Sequence, residues 1–326
     1  MHAALYRRLG AAREVLTVEE LDDPVPGAGE VRVRVHVSGV NPSDWRARRH
    51  GRGGPLPFPY QVPHSDGAGV IDAVGAGVDA ARVGQRVWLW NAAWQRPHGT
   101  AAQYVCLPAR QAVALPDQVS FTQAAGLGIP FMTAWHCLFG DGPITGLPVL
   151  IAGGAGAVGN AAVQLAHAAG AFVIATVSSP DKAALARAAG ADVTVDYRDE
   201  RAVTEIRAAA PDGVARIVEL ALGRNIALDL AAVAPRGTIV TYAPESDGEP
   251  SVPVQRLMWD NITLRFMLVY ALSAAAQDAA VRGVSQAIET MPPSPLPIAR
   301  YPLTEIATAH EAVEGGITGK VLIDLS

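Results

Sequence analysis

A run of eleven residues, Val149-Leu150-Ile151-Ala152-Gly153-Gly154-Ala155-Gly156-Ala157-Val158-Gly159, constrains this chain more than any other segment. The apolar residues Pro148 to Ala152 predict a buried parallel strand, and the Ala-rich stretch from Ala157 to about Ala169 predicts a helix. Between them lies Gly154-x-Gly156-x-x-Gly159, the spacing that turns a strand into a helix around a pyrophosphate. Gly154 allows the tight turn, Gly156 lets a phosphate approach the backbone, and Gly159 lets helix and strand pack closely. The exposed N–H groups and positive dipole end of the helix then face the phosphates. Gly154, Ala155, Gly156, Ala157, Val158 and Gly159 are therefore the candidate dinucleotide-binding residues.

The next strand, Ala171 to Val177, bears on which dinucleotide is taken. An NAD-selective site usually ends this strand with a carboxylate that accepts from the ribose hydroxyls. Here the strand ends Val177-Ser178-Ser179-Pro180-Asp181-Lys182, with hydroxyls in place of the acid and a lysine shortly after. Ser178 and Lys182 can donate to a 2′-phosphate that a carboxylate would repel. Ser179-Pro180 also reads as an N-cap and first-turn pair for the following helix, and both readings can hold together. Only two of the 26 basic residues are lysines, Lys182 and Lys320, so a lysine at this position is not routine surface filler. NADPH is expected in preference to NADH.

The formal net charge of −5, with no basic stripe, gives no expectation of a nucleic-acid partner. The first residues contain no apolar run of signal-peptide length. The apolar stretch 149–177 is interrupted by glycines and by Asn160, Gln164 and His167, so strand, helix and strand explain it without a membrane span. Two cysteines, Cys106 and Cys137, build neither a disulfide framework nor a four-cysteine zinc site. A soluble, cytoplasmic protein is expected.

Residues 1 to about 120 have a different texture. Val31-Arg32-Val33-Arg34-Val35-His36-Val37 alternates strictly, as a half-buried antiparallel strand does. Gly69–Val74 and Arg86–Trp90 are further strand candidates, and dense Gly and Pro punctuation predicts a β-rich domain without a long helix. Beyond Pro148 strands (192–195, 216–220, 238–242) alternate with helix-like stretches (181–189, 200–210, 226–234). Ile262 to Tyr270 reads as one more apolar strand at a sheet edge, and a terminal strand at 320–325 is expected to return to the first domain.

The order of motifs resembles the zinc-independent branch of the medium-chain dehydrogenase/reductase superfamily, the zeta-crystallin-like quinone oxidoreductases. The matching segments are Gly39-Val40-Asn41-Pro42-Ser43-Asp44, Pro63-His64-Ser65-Asp66-Gly67-Ala68-Gly69-Val70, Gly99-Thr100-Ala101-Ala102-Gln103-Tyr104, Met132-Thr133-Ala134-Trp135, Gly190-Ala191-Asp192, Asp196-Tyr197-Arg198 and Gly319-Lys320-Val321. The resemblance implies an α/β chain with an N-terminal GroES-like β-rich catalytic domain (1–121 and 271–326) and a Rossmann doubly wound parallel-sheet domain (122–270). It also implies a homodimer, paired through the edge strand at 262–270.

The same comparison puts Asn41, Ser65 and Ile129 where zinc-dependent relatives carry Cys, His and Cys. None of the three is a good zinc ligand, and His64 stands one position early, so a metal-free protein is expected. Without a Lewis acid, hydride transfer suits an acceptor already activated, a quinone or the β-carbon of an enone. By resemblance Asn41 and Asp44 line the site and Thr133 lies on the nicotinamide side. Asn41-Pro42-Ser43-Asp44 is equally a turn-and-cap sequence, and Thr133 equally a helix-start hydroxyl. Ser178, Lys182 and Tyr197 resemble a 2′-phosphate pocket, and Tyr242 and Lys320 are counted with the cofactor residues. Trp45, Tyr60, Trp90 and Trp94 are candidate walls for a flat substrate, Trp88 and Trp90 being equally readable as core.

Two rivals stay open. An enoyl-thioester reductase of the same superfamily would need a tyrosine donor that 48–55 lacks, with Tyr60 an imperfect substitute. A non-catalytic NADPH-binding protein with a structural or RNA-binding role is the other, and the acidic balance argues against RNA.

Overall fold

The computed structural model describes residues 1–243, 251–291, 293 and 296–325. Its contacts divide the chain into two compact units, Met1–Ile129 with Pro297–Ser326, and Pro130–Leu296.

The first unit begins with the hairpin-like pair β1 (His2–Leu5) and β2 (Thr17–Glu20), which flank the short helix α1 (Ala12–Val15). The long strand β3 (Glu30–Val40) leads into α2 (Pro42–His50), and β4 (Asp66–Val74), β5 (Arg86–Leu89), β6 (Tyr104–Pro108) and β7 (Ala112–Ala114) follow, then α3 (Phe121–Ala124). The alternation seen at 31–37 is obeyed. Val31, Val33 and Val35 are buried against Ile71, Val87, Leu89, Val105 and Leu107, while Arg34 faces solvent. Helix α2 is nine residues long, in a region that the sequence marks as β-rich and without a long helix. Pro42 at its first turn, the Asp44 carboxylate below and three basic residues in its last turn give it start and stop signals.

The second unit opens with α4 (Met132–Phe139) and continues as β8 (Pro148–Ile151), α5 (Ala157–Ala168), β9 (Phe172–Val177), α6 (Pro180–Ala188), β10 (Val193–Asp196), α7 (Ala202–Ala209), β11 (Val214–Glu219), α8 (Leu222–Ala232) and β12 (Val233–Thr241). After α9 (Val254–Trp259) comes β13 (Thr263–Phe266), then α10 (Ala274–Thr290). The strands form one parallel sheet in the order β10-β9-β8-β11-β12-β13. Ile174, Leu150, Ile217 and Ile239 stand in register as one buried apolar row across four strands. The chain order reverses between β8 and β11, the crevice where doubly wound sheets bind ligands.

The last strands, β14 (Ile298–Pro302) and β15 (Lys320–Asp324), with α11 (Ile306–Glu314) between them, return to the first unit. There β15 lies antiparallel to β3, with Val321 opposite Val40.

Two expectations need correction. Residues 271–296, assigned from the sequence to the β-rich domain, lie with the parallel-sheet unit, and 122–129 lie with the β-rich one. The reason for the first is α10. This Ala-rich helix has an apolar face and packs on α4, where Trp135 occupies the space a side chain at Gly283 would need. The edge strand is also shorter than the apolar run 262–270. Pairing ends at Phe266, and Val269–Ala271 turn into a 3₁₀ helix that buries Val269 and Tyr270.

Candidate active site

The glycine turn stands at the C-terminal end of β8, beside the switch point. Gly153 takes φ +67°, a left-handed conformation that glycine adopts without strain. A Cβ on Gly159 would collide with the Gly153 carbonyl, so only glycine lets the helix start this close to the turn. A Cβ on Gly154 would press on Ala175 of β9, whereas Gly156 is open apart from a contact at 3.3 Å with Gly153 O. Gly156 is the N-cap of α5 and no side chain caps the helix. The first-turn N–H groups therefore meet no side-chain acceptor, the condition that suits an anionic phosphate.

At the tip of β9, Lys182 Nζ donates to Ser178 Oγ at 2.9 Å, and Ser179 caps α6 by accepting from Lys182 N–H at 3.3 Å. The cap and the cation thus coexist, one hydroxyl serving each. Arg198 Nη2 reaches the Ser178 carbonyl and pairs with Asp196, and Tyr197 beside them is 45% exposed. Arg198 is a second cation at this tip, which the sequence reading passed over although it stands in the Asp196-Tyr197-Arg198 motif. Tyr242 follows β12 at the same end of the parallel sheet, its N–H donating to Glu219 O at 3.2 Å. Burial pushes its phenol above the ordinary tyrosine range. Thr133, also in this unit, is buried in the first turn of α4.

In the β-rich unit the pairing of β15 with β3 brings Lys320 against the start of α2. Lys320 Nζ donates to Asn41 Oδ1 at 2.6 Å and to the Val40 carbonyl at 3.1 Å. Asn41 Nδ2 donates to Asp66 Oδ2 at 2.7 Å, and Asp66 Oδ1 accepts the Ile129 N–H at 2.8 Å. Lys320 and Asp66 stand 3.9 Å apart as a buried ion pair. The two readings of Asn41-Pro42-Ser43-Asp44 separate here. Asp44 Oδ2 accepts the Asn41 backbone N–H at 2.7 Å and so caps the helix, while the Asn41 side chain joins the charged network.

Burial dominates the electrostatics. It raises Asp44 to about 7, against the hydrogen bond from Asn41 N–H and with the help of the nearby Asp66 charge. Burial likewise raises Asp66 to about 6, held back by Lys320 and by the Asn41 and Ile129 donors. The same burial lowers Lys320, opposed by both carboxylates. Asp66 and Lys320 thus belong with Asn41. The sequence reading named Asp66 only as part of a turn and counted Lys320 with the cofactor.

His64 is buried with φ +74°, and both ring nitrogens are engaged: Nδ1 with Ser38 Oγ at 2.8 Å, Nε2 with His310 Nε2 at 3.0 Å. The protonation pattern follows from the chain's acceptor end. The Thr100 hydroxyl donates to Asp66 O at 2.5 Å, so Ser38 donates to Thr100 and His64 Nδ1–H donates to Ser38. That leaves His64 Nε2 as acceptor for His310 Nε2–H, with both rings neutral.

The candidate substrate walls separate. Trp90 is fully buried with Trp88, the Arg110 guanidinium 5.0 Å above its ring, and is core. Trp45, half-buried on α2, makes an edge contact with His50. Tyr60 Oη meets His98 Nε2 at 2.8 Å. Trp94 lines a cavity of about 310 Å³ within this unit, with Tyr6, Arg52 and Phe58 among its other walls. Among the described residues no group of three or more His, Cys, Asp or Glu side chains is placed to hold a metal ion, and no helix is long and apolar enough to cross a membrane.

A GroES-like β-rich unit and a doubly wound parallel sheet with a glycine turn at its switch point, joined in one chain, define a medium-chain dehydrogenase/reductase. The family model for the alcohol dehydrogenase GroES-like domain matches residues 27–117, and that for the zinc-binding dehydrogenase matches 157–286. The rat quinone oxidoreductase is 30% identical over 92% of this chain and 90% of its own length. A mycobacterial protein solved in complex with NADPH shares 29% identity at a TM-score of 0.85, covering 99% of this chain and 100% of that one. The Escherichia coli quinone oxidoreductase, also solved with NADPH, shares 25% identity at a TM-score of 0.84, covering 99% and 100%. The chain belongs to the quinone oxidoreductase family of medium-chain dehydrogenases/reductases.

Proposed function

We propose that the protein is an NADPH-dependent, metal-free reductase that delivers hydride to a quinone or to the β-carbon of an α,β-unsaturated carbonyl compound. The observation that carries this reading is the Lys320 to Asn41 hydrogen bond. An ammonium held against Oδ1 draws electron density from the amide and strengthens its N–H groups as donors. One Nδ2 proton goes to Asp66, and the second serves the oxygen on which charge develops.

NADPH, when bound, supplies the hydride. The glycine turn and the uncapped start of α5 take its pyrophosphate, and Ser178 and Lys182 take the 2′-phosphate, as the NADPH-bound relatives support. Zinc does not fit the site. Asn41 is committed to Lys320 and Asp66, Ile129 has no ligand atom, and both nitrogens of His64 are hydrogen-bonded. The assembly we propose is a two-fold dimer through the edge of β13.

The test is NADPH oxidation measured across quinones, enones and enoyl thioesters, with and without a chelator and with elemental analysis. Turnover of quinones or enones that survives chelation is the expected result. Exclusive turnover of thioesters, no turnover at all, or one stoichiometric zinc per chain would overturn the reading.

A further inference from the structure

The cavity beside α2 keeps two polar side chains at its buried end. Its walls are mostly apolar, with Leu9, Leu56 and Phe58 among them, and the exposed Arg52 and Gln95 stand at its rim. Arg52 is already engaged there. Its guanidinium carbon lies 4.7 Å from the centre of the Trp94 ring, and both side chains have further partners in the protein. Tyr6 and Gln61, 3% and 7% exposed, are the buried polar side chains of the lining.

Local structure sets these two side by side. Tyr6 N–H donates to Gln61 O at 3.0 Å and Gln61 N–H to Tyr6 O at 2.8 Å, an isolated antiparallel bridge that sends both side chains to one side. Gln61 Nε2 donates to the Val62 and Arg96 carbonyls at 2.9 Å and to that of Pro97 at 3.0 Å, which turns Oε1 the other way. Among the described residues no group donates to this Oε1 and none bonds the Tyr6 hydroxyl, yet neither atom is sealed from solvent. Burial raises the phenol to about 12, so it keeps its proton and stays a donor at neutral pH. The cavity thus offers one neutral donor and one neutral acceptor against apolar walls. Its volume of about 310 Å³ suits one or two fused rings, at the small end of ligand pockets.

We propose that this cavity binds a neutral, flat ring whose carbonyl oxygen accepts from the Tyr6 hydroxyl and whose adjacent N–H or O–H donates to Gln61 Oε1. An anion would set its charge against Oε1 and among apolar walls, so the ligand is uncharged. Ala47, three residues beyond Asp44 on the same helix face, also lines the cavity, which therefore borders the polar network at the head of α2. For the enzyme, Tyr6 and Gln61 then anchor the carbonyl that does not react, and that extension rests on the reductase reading above.

The experiment is calorimetric titration of the cofactor-free protein with 2-quinolone, whose ring carbonyl stands beside an N–H, and with coumarin, where a ring oxygen replaces that N–H. 2-Quinolone is expected to bind about fivefold more tightly, the size of one neutral hydrogen bond. Tyr6→Phe should weaken both probes about fivefold and leave the preference intact, and Gln61→Met should abolish the preference. Gln61→Met also removes three donor contacts, so the preference in the parent protein and in Tyr6→Phe carries the test if that variant does not fold. Equal affinities in the parent protein, or probes that bind Tyr6→Phe as tightly as the parent, would overturn the proposal. A parallel assay follows NADPH-driven reduction of 1,4-naphthoquinone, where Tyr6→Phe should raise KM about fivefold and leave kcat nearly unchanged. Probe binding that depends on Tyr6, without reduction of any quinone, would retire the reductase reading and leave the site standing. Reduction with the same KM in both proteins, and no probe preference, would do the opposite.

Discussion

Lys320 Nζ donates to Asn41 Oδ1 at 2.6 Å, although 279 positions separate the two residues in the chain. The contact exists because β15 pairs antiparallel with β3, setting Val321 opposite Val40. One cation therefore orients the amide at the head of α2 and compensates Asp66 behind it.

Asn41→Ala should lower kcat about a hundredfold, the worth of one oxyanion donor, and weaken NADPH binding far less. The loss should be larger with simple enones than with quinones, which are the better electrophiles. Single-turnover hydride transfer and melting temperature on the same variant give the answer. A destabilised protein with normal chemistry would mean that Asn41 only shapes the turn.

Lys182→Ala should weaken NADPH about tenfold or more and leave NADH nearly unchanged, because a charge-assisted contact is worth about 1.5–3 kcal/mol and only NADPH carries the 2′-phosphate. Fluorescence titration with both cofactors checks this. Equal weakening of the two would remove Lys182 and Ser178 from the phosphate site.

The buried acids predict a pH signature. The Asp44 carboxyl is raised to about 7 in the fold, above its ordinary value of 3.8, so the native state holds a proton that the unfolded chain releases. Its stabilising contribution is complete below about pH 4 and is lost as pH rises through 7. Asp44→Asn cannot ionise, so its stability relative to the parent should rise between pH 4 and 7 and level off above. The His64–His310 pair works the other way. Burial lowers both, His310 to about 3, so their contribution is lost as pH falls below about 6.5. Melting curves of parent and Asp44→Asn across this range separate the two effects, and parallel curves would refute the Asp44 assignment.

The edge strand β13 carries Phe266 at 68% exposure, with Leu268 beyond it at 51%. An uncovered apolar edge of this kind invites pairing. A dimer is expected by light scattering at micromolar concentration, and Phe266→Asp should shift it toward monomer with little change in melting temperature of the subunit core. A monomeric parent protein would exclude the arrangement.

The parallel-sheet unit was legible because its signals are local. Strand, glycine turn and helix lie within about twenty consecutive residues, and Gly154 and Gly159 answer a steric demand of their neighbours. Ser178 and Lys182 could be proposed for the same reason, since they sit four apart around the N-cap of one helix, Ser179 of α6. Other assignments failed where packing decides. Trp90 reads as a pocket wall or as core until its full burial settles it, and α10 joined the wrong domain because nothing local says that Gly283 receives Trp135. The sequence by itself determined the β-rich and parallel-sheet units, the dinucleotide turn and the residue types at the head of α2. The tertiary structure alone decided that Asp44 caps while Asn41 reaches inward, that Lys320 and Asp66 join it, and that Arg52 meets Trp94. Those relationships depend on strand register and loop conformation across distant segments, and a one-residue slip of β15 against β3 would turn Lys320 to the opposite face.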